Sequence, residues 1–138
     1  MRQLICLIAL VLGTQQPALV TVTVRLLDVR PSKGGVLHVG IHPAPGTAFP
    51  GPSPLANRDI RPAAVETILT LDVVPGVYAV AVHHDANSNG KVDANFLGIP
   101  KEGYGVSNDP RPRFRAPRFD EARVLIMRDT TVTVRMTY

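Results

Sequence analysis

A strict alternation runs through residues 20–26: Val20, Val22, Val24 and Leu26 take turns with Thr21, Thr23 and Arg25. Successive side chains of a strand point to opposite faces, so this spacing makes one apolar face and one polar face. A helix would scatter the same residues around its axis. The rhythm recurs. Residues 36–41 divide into Leu37, Val39 and Ile41 against Val36, His38 and Gly40. Residues 67–74 predict a third strand, closed by Pro75 and Gly76. Residues 77–82 are apolar on both faces, as a central strand covered on both sides should be. Residues 124–127 and 131–137 predict a closing hairpin around Arg128, Asp129 and Thr130, with Val132, Val134 and Met136 inward. Pro43, Pro45, Pro50, Pro52, Pro54 and Pro62 predict a long loop, because proline breaks a helix and cannot donate to the ladder of a central strand. No stretch after residue 18 sustains an i, i+3, i+4, i+7 pattern. The expected fold is all-β: an antiparallel β-sandwich of about seven strands.

The start of the chain has a different character. Met1, Arg2 and Gln3 precede an apolar run over residues 4–13, followed by Thr14, Gln15 and Gln16 and then Pro17-Ala18. The run is shorter than the roughly 20 residues a bilayer span requires. The order of positive, apolar and polar regions predicts a signal peptide over residues 1–18, although Gln16 departs from the small-residue rule near the cut. A single mature domain over residues 19–138 is then expected, secreted or periplasmic and without a transmembrane span. Cys6 is the only cysteine and lies in the apolar run. The mature chain would hold no disulfide, cysteine-ligated zinc or cysteine nucleophile. A domain of about 120 residues buries some two-thirds of its unfolded surface and can fold without such staples. The formal net charge of +4 is modest, and with export it argues against a nucleic-acid partner.

The densest motif is "DANSNGKVD", residues 85–93. Calcium takes six to eight oxygens, and a tight loop can supply them at alternate positions if a glycine permits the bend. Asp85, Asn87 and Asn89 occupy positions 1, 3 and 5 of such a loop and Gly90 position 6. Lys91 would offer its carbonyl, and Asp93 stands at position 9. Position 12 holds Phe96 where an EF-hand has a bidentate glutamate, and the flanks predict strands, so this is no EF-hand. Glu102 is a candidate to complete the donor set, as are Asn95 and Asp109. With few carboxylates the affinity for Ca2+ is expected to be weak, about 0.1–1 mM. The competing reading is a plain hairpin, since Asn-Gly favours a type I′ turn.

Read onward, "HHDANSNGKVDANFLGIPKEGYGVSND" (residues 83–109), with "PGVYAVAV" before it and "FDEARVLI" after it, resembles the DUF2141 family of small secreted bacterial proteins of unknown function. The likeness is dense over residues 75–109, and Phe119 to Ala122 supply a similar Phe-x-x-Ala element. The resemblance implies a small exported sandwich, transthyretin-like or immunoglobulin-like, and implies no activity. It groups residues 84, 85, 87, 89, 93 and 102 as one unit. The chain departs from the family pattern in its arginine-rich connection. Transthyretin-like hydrolases close with a Tyr-Arg-Gly-Ser tail, whereas this chain closes Val-Arg-Met-Thr-Tyr.

Three further constellations bear on function. His38, His42, His83 and His84 are the chain's histidines. Two or three could meet across strands around a transition metal, but a strand-end histidine bonded to a backbone group is the expectation. Arg111, Arg113, Arg115 and Arg118 surround Phe114 in "RPRFRAPR". Guanidinium groups suit phosphates and carboxylates, so an anion-binding accessory role toward phospholipid or acidic glycan is the alternative, against a solvated charged loop. Ser88 and Ser107 have no His/Asp partners at nucleophile spacing, and an enzyme is not expected. The expected partners are a protein, lipid or glycan at the cell envelope.

Overall fold

The alternating segments become strands wherever one face can be buried. The computed structural model describes residues 15–44, 49–51, 54–95 and 100–138. Most of the predicted signal peptide therefore lies outside the described residues, and residues 15–19 are exposed and outside any strand. The strands are β1 (Val20–Leu27), β2 (Val36–Pro43), β3 (Ala56–Ile60), β4 (Thr67–Val73), β5 (Gly76–Asp85), β6 (Gly103–Val106), β7 (Arg123–Ile126) and β8 (Thr130–Arg135), with one helical turn, α1 (Phe119–Ala122). One sheet has the order β4-β1-β8. The other runs β3-β2-β5-β6, with β7 also on β5. Among the described residues no helix is long and apolar enough to cross a membrane.

The two sheets share one core. Val22, Val24 and Leu26 of β1 meet Leu37, Val39 and Ile41 of β2, Val80 and Val82 of β5, and Val132 and Val134 of β8. Each fully buried aliphatic side chain stabilises by about 1.5–3 kcal/mol relative to exposure. β5 is apolar on both faces for the expected reason. Tyr78, Val80 and Val82 point into the core. Ala79, with Ala81 beside it, lies beneath Ala122, Phe119 and Phe49 on the outer face.

Three expectations need correction. The proline-rich segment contains a strand, β3, between Pro54 and Pro62. It is an edge strand with Asn57, Arg58 and Asp59 exposed, and at an edge proline neighbours and charges are tolerated. The closing segments do not pair as a hairpin. β7 joins β5 in one sheet and β8 joins β1 in the other, so residues 127–129 arch between sheets. Either arrangement buries the same inward residues, so alternation could not choose between them. Asp129 pins the arch by accepting the Thr21 N–H at 2.8 Å. The crossing also makes β8 parallel to β1, the exception to antiparallel pairing among the described residues, whose eight strands agree with the expected sandwich of about seven.

Along one edge of β5, β6 and β7 lie end to end: β6 pairs with residues 81–84 and β7 with residues 76–79. Ser107 fills the joint. It is wholly buried; its Oγ accepts the Val80 N–H at 2.9 Å and donates to the Ala122 carbonyl, while its own N–H donates to Val80 O at 2.9 Å.

Candidate functional site

The strand register decides which polar side chains gather at the end of β5. Asp59, His38, His83 and Tyr104 form one row across β3, β2, β5 and β6. Gly103 pairs with His84, so Glu102, one residue earlier, comes level with Asp85. Gly103 is required there by close approach, since a Cβ would lie 2.3 Å from the Tyr138 ring. The result is that both ends of the loop over residues 86–102 carry a carboxylate, Asp85 on one side and Glu102 on the other.

Asp85 is buried. Its Oδ1 accepts the Asn89 N–H at 3.1 Å and its Oδ2 the Gly90 N–H at 2.8 Å. Asn87 Oδ1 accepts the Asn89 N–H at 3.1 Å, and Asn89 Oδ1 the Lys91 N–H at 2.9 Å. Both Asn87 and Asn89 donate their amide groups to Asp93 Oδ2, at 2.8 and 3.0 Å. Glu102 closes the ring: Oε1 accepts the Ala86 N–H at 3.0 Å, and Oε2 faces the Asp93 N–H at 3.4 Å. The sequence-predicted residues Asp85, Asn87, Asn89, Asp93 and Glu102 are thus brought together, with Lys91 in the same turn. Asp109 is instead engaged with Arg111. Phe96 lies outside the described residues.

The plain hairpin does not form. A type I′ turn needs positive φ at both central residues. Here Ser88 and Gly90 have positive φ, at 56° and 73°, and Asn89 does not. β5 pairs beyond the loop with β6, and among the described residues the alternation after Gly90 gives an isolated bridge between Ala94 and Pro100.

Two histidines border the loop. The His38 and His83 rings stack with centroids 5.9 Å apart. His83 Nε2 lies 2.8 Å from Glu102 Oε2. His38 Nδ1 lies 2.8 Å from Asp59 Oδ1, and its buried Nε2, without a hydrogen-bond partner among the described residues, lies 3.5 Å from Asp85 Oδ2. Burial pushes the His38 ring down, but Asp59 and then Asp85 outweigh it and raise its pKa above the ordinary histidine value. Burial likewise pushes the Asp85 carboxyl up. The Gly90 and Asn89 N–H groups, followed by His38, more than reverse this and hold it below the usual carboxylate range. Among the described residues, no three His, Cys, Asp or Glu side chains already converge as a metal cage; a cation here would need the asparagine oxygens as well. His42 sits elsewhere, edge-on to Phe49 at 5.3 Å, with its pKa lowered by burial.

His84 forms a pedestal under the loop. It is wholly buried. The Gly34 carbonyl, 2.7 Å from Nε2, can only accept, so Nε2 carries the hydrogen. Nδ1 then accepts from the Tyr138 hydroxyl at 2.7 Å, and that oxygen accepts the Arg30 N–H at 3.0 Å. A strand-end histidine bonded to backbone was the expectation for this group, and His84 meets it. The partners Tyr138, Asp59 and Gly34 were missed. Each is distant in sequence and enters through strand pairing, so only a correct placement of β3 and of the C-terminus would have found them.

The arginine segment is partly committed to the fold. Arg115 forks onto Glu121 at 2.8 and 2.6 Å, and Arg111 pairs with Asp109 at 2.6 Å and touches Thr137. Among the described residues Arg113 has no carboxylate partner, and Arg118 makes no direct ion pair, although its charge helps hold the Glu121 carboxyl down. Their side chains are exposed.

A family model described as "Uncharacterized protein conserved in bacteria (DUF2141)" matches residues 24–135. No curated protein and no solved structure matches.

Proposed function

The chain belongs to the DUF2141 family, and on that premise we propose that it is an exported binding or structural module stabilised by a weak calcium site in the loop after β5. Asp85, Asn87, Asn89, Asp93 and Glu102 would supply side-chain oxygens, and Lys91 its carbonyl. The observation that carries the reading is the return of Glu102: a carboxylate distant in sequence closes on Ala86 and Asp93 at both ends of the loop. The donor chemistry fits a hard cation. Three carboxylates, of Asp85, Asp93 and Glu102, meet at one loop, and among the described residues none is paired with a lysine or arginine; His38 lies beside Asp85 and His83 beside Glu102. The two asparagine amides aimed at Asp93 can exchange nitrogen for oxygen by a half-turn of the last bond. Calcium would contribute only charge and oxygen coordination, drawing the loop onto the end of β5. Ser107 has its hydroxyl buried and bound to backbone on both sides, which speaks against it as a nucleophile.

Thermal unfolding tests the reading. A ligand of the native state at about ten times its Kd stabilises by about 1.4 kcal/mol, or roughly 5 °C for a domain of this size. Calcium in excess over chelator should raise Tm by that amount, and Asp93→Ala should abolish the rise while remaining folded. No rise, or an undiminished rise in Asp93→Ala, overturns the site.

A further inference from the structure

Phe114 is the most exposed large apolar side chain described, at 92%. The fold does not use it. Phe49 and Phe119, by contrast, pack on the outer face of β5. The four residues 113–116 are all exposed, and they are held between Pro112, half-buried, and Pro117, buried. The tip bends at residues 113–115, and prolines on both sides limit its freedom. Two carboxylates near the tip are already used: Arg115 holds Glu121 and Arg111 holds Asp109. Among the described residues, the guanidinium groups of Arg113, beside Phe114, and Arg118, just past the tip, make no direct ion pair, although the Arg118 charge is felt by Glu121.

We propose that this tip docks onto an anionic lipid surface, with Phe114 among the acyl chains and Arg113 and Arg118 on lipid phosphates. The pairing of an apolar wedge with cationic neighbours suits the boundary between headgroups and hydrocarbon. An acidic glycan or a free phosphate would satisfy the arginines but offers no hydrocarbon for Phe114. Each arginine near an anionic leaflet strengthens binding about five-fold, and burial of the Phe114 ring adds at least about ten-fold. The attraction is electrostatic in part and weakens with salt.

The chain contains no tryptophan, so Phe114→Trp places a single reporter at the tip. Full-length protein is mixed, in chelator, with vesicles of phosphatidylcholine alone or of phosphatidylcholine with phosphatidylglycerol. The emission of Phe114→Trp should shift to the blue only with the anionic vesicles, and less so at high salt. In the wild-type background, co-sedimentation with anionic vesicles should fall about 25-fold in affinity for Arg113→Ala/Arg118→Ala and about ten-fold for Phe114→Ala, with Tm unchanged in both. Residues 4–13 are apolar and would bind both vesicle types alike, so the readout is the difference between vesicles and between variants. An equal shift with neutral vesicles, affinity unaffected by the substitutions, or capture by heparin without any vesicle-induced shift overturns the proposal. Chelator keeps this result separate from that of the calcium site.

Discussion

Ser107 shows how much one hydroxyl can decide. It sits where β6 stops and β7 begins, and it satisfies the Val80 N–H that neither strand can reach. A buried donor left without a partner costs about 1–3 kcal/mol. Ser107→Ala should therefore lower stability by that much in chemical denaturation, whereas Thr133→Ala, on an exposed position of β8, should change it by less than about 0.5 kcal/mol. Equal effects would mean that Val80 finds another acceptor. Tyr138 works in a similar way beside the last residues of β5. Burial pushes its hydroxyl pKa up against the opposing pull of the Arg30 N–H, and the same oxygen orients His84 beneath the loop. Both residues act through backbone groups far away in sequence, and their roles are invisible to any local pattern.

At the scale of elements, α1 is a single turn and owes its place to contacts at both ends. Ala122 and Phe119 cover the outer face of β5. At the start of the turn, Glu121 accepts from the Arg115 guanidinium and from the Arg118 N–H at 2.8 Å. These bonds, the arginine first, hold the Glu121 carboxyl down to about 2 from an ordinary value of 4.5. A carboxyl depressed in the folded state favours folding above its unfolded pKa, and that contribution disappears as pH falls through the folded value. The carboxyl resonance of Glu121 should accordingly titrate near pH 2, and Arg115→Gln should move its midpoint up toward the ordinary range. The variant should lack the wild type's advantage at neutral pH, and its acid limb should be shallower, because Glu121 then contributes no loss between about pH 4.5 and 2. A midpoint already ordinary in the wild type would show that the fork does not persist in solution. The loop after β5 is the contrasting element. Its turn geometry comes from side-chain oxygens capping successive N–H groups, not from a two-residue hairpin, and it can therefore hold its carboxylates in place without strand pairing.

For the whole molecule, one core spanning both sheets implies one cooperative transition. Leu26 in the first sheet and Ile126 in the second are both wholly buried in that core. Leu26→Ala and Ile126→Ala should each cost about 2–5 kcal/mol, and each should lower a single transition seen alike by far-ultraviolet circular dichroism and calorimetry; separate transitions would mean the sheets unfold independently. The sandwich itself was legible in the alternation of Val20 to Leu26 and in the two-sided apolar run of β5, because burial on a pleated strand repeats every second residue. The donor residues of the loop were legible for a related reason, since oxygen side chains at alternate positions around Gly90 are a local pattern. What the sequence by itself determined was therefore which residues face inward, where the chain turns and which side chains can offer oxygens. Only the tertiary structure decided that β3 forms within the prolines, that residues 127–129 arch between sheets, and that Glu102, His38 and Asp59 arrive beside Asp85. Those outcomes depend on strand register and on which edge is free to pair, and such long-range choices leave no period in the sequence.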